Sequence, residues 1–148
     1  MSTQAQDLIV RKSVIVACPP AEAFQLFTEG LETWWPFDTH CPGDKPPEAF
    51  IFEGHEGGRL FHRAGGDEYE WATVTAWEPP QRFVVDWHVT PGRPSTELEV
   101  RFVPEGDGTR VELEHRGWDR YGDDAADEYG GYDRGWDFVL GRYAAKAG

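Results

Sequence analysis

The sequence predicts an α+β fold in which a curved antiparallel sheet grips one long C-terminal helix. Three observations predict it. Leu98, Val100 and Phe102 alternate with Glu97, Glu99 and Arg101, and Val111 and Leu113 with Glu112 and Glu114, so each run is a strand with one wet face. The run then closes at His115 to Trp118, and Tyr129, Tyr132, Trp136, Val139, Leu140 and Tyr143 recur near helical period. Finally, helical patterns are not interspersed between successive strands, as parallel crossovers would require.

The elements follow in order. Residues Ile9 to Ala17 are rich in Val and Ile and stop at Pro19-Pro20, where missing amide donors end a strand and can open a helix. Ala23, Phe24 and Phe27 sit at helical spacings, Gly30 can end that helix, and Leu31 to Trp35 adds a second short helical stretch before Pro36. Phe37 to Pro47 reads as a surface loop on its prolines, Pro42, Pro46 and Pro47. Phe50 to Glu53 and Arg59 to Arg63 flank the hairpin signal Gly57-Gly58, and Gly65-Gly66 precedes a strand from Glu68 to Trp77. After Pro79-Pro80, Arg82 to Val89 places Phe83, Val85 and Trp87 on one face, with Asp86 and His88 on the other. Gly106 to Gly108 turns the last hairpin. The terminal helix is expected from Asp123 onward and firmest from Asp133 to Ala145, because Gly130, Gly131 and Gly135 weaken its first half.

With 148 residues the chain is of single-domain size, and its seven Trp, nine Phe and five Tyr exclude a disordered polymer. A formal charge of −13 repels phosphate backbones and anionic lipid surfaces, so neither nucleic acid nor membrane is an expected partner. No signal-peptide pattern or membrane-length apolar run is present, and the expected location is cytoplasmic. Cys18 and Cys41 are expected as reduced thiols. No cofactor is expected: neither GxGxxG nor GxxxxGK[ST] occurs, and no Gly-x-Ser-x-Gly elbow marks a nucleophile. His40, Cys41, His55 and His62 lack metal-ligand spacing, so no metal site is expected. The acidic run Asp119, Asp123, Asp124, Asp127 and Glu128 lacks the order of a calcium loop and reads as solvated acid favouring a helix start.

The ordered set Trp34-Trp35-Pro36, Thr39-His40, Glu53, Gly57-Gly58-Arg59, Trp77 to Pro80, Trp87, Gly108-Thr109, Glu114 to Trp118 and Gly135-Trp136 resembles bacterial proteins similar to the C-terminal domain of the activator of Hsp90 ATPase. These belong to the START-like, or SRPBCC, superfamily, and the resemblance runs from about Ile9 to Ala145. It implies a helix-grip fold: a seven-stranded antiparallel sheet wrapped around the C-terminal helix, enclosing a deep hydrophobic cavity. It implies no fixed chemistry. His55, His62 and Cys41 depart from the residues usual in such relatives and alter polarity near the expected mouth.

The expected ligand-contacting residues are Trp34, Trp35, Phe52, Trp71, Trp87, Leu113, His115, Trp118, Trp136 and Leu140. Large flat side chains supply contact area and indole N–H groups supply orientation, although ordinary core packing would recruit the same residues. His115 shares the Val111 and Leu113 face and should point inward, where it is either a satisfied core imidazole or a group that orients a ligand. Glu53 is expected to pair with Arg59 or Arg63, with a polar anchor at the pocket rim as its alternative role. No catalytic motif is present; His115, His62 and Glu53 are the only candidate acid and base groups. Binding of a small apolar or amphipathic molecule therefore ranks first, a START-like enzyme of cyclase or hydrolase type second, and co-chaperone contact with an Hsp90-family protein third.

Overall fold

The computed structural model describes residues 8–36, 39–40 and 45–148. Strand β1 (Val10–Val16) leads through helix α1 (Pro20–Phe27) and a single 3₁₀ turn (Leu31–Thr33) to β2 (Ala49–Phe52). The chain then meanders through β3 (Arg59–Ala64), β4 (Asp67–Glu78), β5 (Arg82–Trp87), β6 (Thr96–Glu105) and β7 (Gly108–Arg116). A 3₁₀ segment (Trp118–Asp124) leads into helix α2 (Ala125–Ala147). The predicted second short helix is thus one 3₁₀ turn, and the expectation for Cys41 falls outside the described residues.

The seven strands form one antiparallel sheet in the order β1-β7-β6-β5-β4-β3-β2. α1 and the turn after it carry the chain from one sheet edge to the other, and the meander then returns until β7 pairs with β1, Val10 opposite His115. Alternation sets the faces: Thr96, Leu98, Val100 and Phe102 on β6, and Thr109, Val111, Leu113 and His115 on β7, are all buried. Their outward neighbours form a charged ladder, in which Arg116 holds Glu97 at 2.6 Å and Glu99 at 3.0 Å while Arg82 holds Glu99 at 2.8 Å. Glu99 is accordingly held below the usual carboxylate range: burial pushes it up, but bonds from Arg116 and Arg82 outweigh that.

Two register shifts bend β4. Leu60 pairs with Ala72 and Phe61 with Glu70, which leaves Trp71 as the extra residue on its strand; Val74 pairs with Val85 and Ala76 with Val84, which leaves Thr75. An extra residue kinks its strand and re-aims its side chain. Trp71 and Ala72, though adjacent, are both buried.

Helix α2 lies in the concavity. Trp136, Val139, Leu140 and Tyr143 face the sheet and are buried, and the Tyr143 hydroxyl donates to the Ala23 carbonyl at 2.9 Å, tying α2 to α1. On the β1 side, Lys12 reaches Asp133 at 3.1 Å and Asp137 at 3.0 Å. Gly130, Gly131 and Gly135 do not delay the helix, which is continuous from Ala125; tertiary packing along its sheet-facing stripe outweighs their propensity cost of about 1 kcal/mol each.

Candidate functional site

Between α2, the end of β5 and the Trp35 segment lies an open cleft of about 540 Å³. Its walls are Trp35, Trp71, Trp87, Trp136 and Tyr132, with Val89 and Thr90 from the chain after β5. His40, Asp127 and Glu128 also border it, and Gly131 and Gly135 form part of the helix wall. The same four indoles also bound a void of about 10 Å³ that reaches Phe52, Leu60 and Phe83. Of the residues expected to touch a ligand, the structure therefore brings Trp35, Trp71, Trp87 and Trp136 together on the cleft. Trp34, Leu113, His115, Trp118 and Leu140 are not among its walls, and Phe52 borders only the small void.

The indole N–H groups are engaged within the protein. Trp34 donates to the Leu26 carbonyl at 2.8 Å, Trp35 to the His40 carbonyl at 2.7 Å and Trp118 to the His115 carbonyl at 2.8 Å. Trp71 donates to His62 Nδ1 at 2.9 Å, Trp87 to the Tyr132 hydroxyl at 3.0 Å and Trp136 to His115 Nδ1 at 3.1 Å. Each of these groups satisfies a protein acceptor.

His115 is a satisfied core imidazole. Because Trp136 donates to Nδ1, that nitrogen carries no proton, and Nε2–H donates to Thr96 Oγ1 at 2.7 Å. Burial, helped by the Arg116 charge, pushes its pKa down to about 3, so the ring is neutral at ordinary pH. His62 repeats the device on β3: it accepts from Trp71, stacks on Tyr69 at 4.8 Å and is shifted downward by burial. Neither histidine lines the cleft. Glu53 accepts from the Arg59 backbone N–H at 2.8 Å and lies 3.9 Å from its guanidinium, the structural pairing expected of it, while Arg63 pairs with Glu68.

Sequence reasoning missed Tyr132 and His40 as cleft residues. Tyr132 precedes Trp136 by one helical turn on the stripe that predicted α2, and that spacing was the available signal. Its hydroxyl is pushed up to about 12, chiefly by burial. His40 stands in the sequence as part of the Thr39-His40 motif and as a histidine without metal-ligand spacing. Its ring stacks on Phe138 at 5.2 Å and its Nδ1 meets Thr39 Oγ1 at 2.7 Å. Among the described residues no three His, Cys, Asp or Glu side chains converge as metal ligands.

A curved sheet, a gripped helix and an aromatic cleft between them define a helix-grip protein. Residues 17–144 match the family model described as Activator of Hsp90 ATPase homolog 1-like protein, and the chain belongs to that family. Its fold is similar to that of CalC from Micromonospora echinospora, a self-sacrificing resistance protein, at 28% identity and a TM-score of 0.73 over 96% of this chain and 95% of that one. It is also similar to Txn09, an anthrahydroquino-γ-pyrone synthase, at 35% identity and a TM-score of 0.56 over 84% of this chain and 86% of that one. The Aha1 dimer from Colwellia psychrerythraea shares the fold at 17% identity and a TM-score of 0.68, covering 94% and 95% of the two chains. Among proteins of curated function none matches. No helix among the described residues is long and apolar enough to cross a membrane.

Proposed function

We propose that this protein binds a small amphipathic molecule with a flat aromatic portion in the cleft between sheet and α2. The observation that carries the reading is a cleft walled by four indoles and a phenol, the indole N–H groups all being held by protein acceptors. Its volume of about 540 Å³ is within the range of small-molecule sites. The helix wall supports it too. A Cβ on Gly131 would meet nothing within 4 Å, so the glycine keeps space open at the cleft rather than relieving a clash. The relative at 35% identity, named for a fused aromatic product, supports a ligand of this shape.

Titration of a panel of polycyclic aromatic and lipid compounds, followed by tryptophan fluorescence and native mass spectrometry, tests the reading. Gly131→Leu places a side chain in the cleft and should abolish binding while the far-UV spectrum stays unchanged. A panel without a single binder, or undiminished binding in Gly131→Leu, would overturn it.

A second reading, that the cleft also transforms its ligand, is favoured by the same relative's designation as a synthase. Its acid and base groups would be His40 and Tyr132, which border the cleft, rather than His115, His62 or Glu53. Turnover by the parent protein that disappears in His40→Gln or Tyr132→Phe, with ligand affinity retained, is its expected signature.

A further inference from the structure

We propose that the cleft selects ligands carrying a positive charge, an aromatic amine in particular, and holds the ammonium group at Asp127 and Glu128. The inference rests on the binding function proposed above and specifies its ligand class.

Four acidic residues on α2 divide into two kinds. Asp133 and Asp137 share one cation, Lys12, at 3.1 and 3.0 Å, on the β1 side. Asp127 and Glu128 border the cleft and make no ion pair among the described residues; the nearby Arg93 is bonded instead to Asp124 at 3.1 Å and lies 4.7 Å over the Tyr121 ring. The carboxylates left without a cation are therefore those that face the cleft. No Lys or Arg is among the described cleft residues, and residues 1–7, 37–38 and 41–44 contain neither.

The first turn of α2 supplies an opposing field, since a helix N-terminus acts as roughly half a positive charge. Two carboxylates outweigh it about fourfold, so the rim is net negative. With the indole N–H groups already engaged, the polar side chains left at the cleft are the two carboxylates, His40, Thr90 and the Tyr132 hydroxyl. The carboxylates only accept hydrogen bonds at neutral pH, and an ammonium group only donates them. Aromatic faces attract the same cation through their quadrupoles, and the chain's charge of −13 concentrates cations around the molecule. An anionic ligand would be repelled by all three: the carboxylates, the aromatic faces and the net charge.

Calorimetric titration of the full chain with three probes on one tricyclic frame tests this: anthracenylmethylamine, anthracenylmethanol and anthracenecarboxylate. Affinity should fall in that order, with the ammonium probe at least about tenfold tighter than the carboxylate at low salt and the gap narrowing at high salt. The double variant Asp127→Asn, Glu128→Gln should bring the ammonium probe level with the alcohol. If all three probes bind the parent with equal affinity, charge selection is overturned while binding in the cleft stands. If none binds, the binding function falls and charge selection with it. A preference for the amine that survives the double variant overturns the assignment to Asp127 and Glu128.

Discussion

Two buried histidines, each accepting a hydrogen bond from a tryptophan, show how a polar group is satisfied inside an aromatic core. At His115 every ring nitrogen has a partner, and removing one exposes the cost of the other. Trp136→Phe deletes the donor to Nδ1 and should destabilise the fold by roughly 2 kcal/mol or more in urea unfolding, because a buried acceptor is left unpaired and volume is lost. The pH dependence follows from the same ring. In the unfolded chain His115 takes up a proton near its ordinary value of 6.5, whereas in the fold it does so only near 3. Between those limits the unfolded state holds more protons, so its contribution to stability is complete above the upper limit and is lost as pH falls toward the lower. The slope is up to about 1.4 kcal/mol per pH unit. His115→Gln should flatten that part of the stability profile; parallel urea curves for parent and variant across the window measure the difference. His62 is shifted downward as well, by burial.

At the scale of elements, α2 carries opposed demands. Its sheet-facing stripe of Trp136, Val139, Leu140 and Tyr143 holds the fold, while Gly131 and Gly135 border the cleft at a cost in helix propensity. Gly131→Ala should therefore raise stability by up to about 1 kcal/mol, read as a higher Tm, and weaken ligand binding at the same time. A glycine kept only by chance would give the first effect without the second. Gly108 is of the other kind. A Cβ there would lie 2.2 Å from the Val16 carbonyl, so Gly108→Ala should separate β1 from β7 and cost about 2 kcal/mol or more in urea unfolding.

Across the whole molecule the sheet is unequal. β5, β6 and β7 each have two strand neighbours and bury an inner face, whereas β2 pairs only with β3 and all four of its residues are half-buried. Hydrogen exchange should find β2 amides opening well before those of β6 and β7, which should exchange only through global unfolding. One contiguous set of buried side chains links sheet, α1 and α2, so thermal unfolding should follow a single transition at which fluorescence and far-UV signals coincide. Separate transitions would argue for more than one folding unit.

Alternation on β6 and β7, the helical stripe ending at Tyr143 and the order of short motifs made the fold legible in the sequence, because each periodicity is a local property of the chain. His115 was readable as inward for the same reason. The cleft was legible only in part. Trp87 and Trp136 follow from face and stripe, but Trp71 enters the interior through a register shift that alternation does not foresee, and the N–H groups of Trp136 and Trp87 find their acceptors 21 and 45 residues away in the chain. Sequence alone thus determined the sheet, the helix and their apolar faces, since period and turn chemistry act over a few residues. Only the tertiary structure decided which aromatic rings gather at the cleft and which carboxylates border it without an ion pair among the described residues, since that depends on partners brought together from distant parts of the chain.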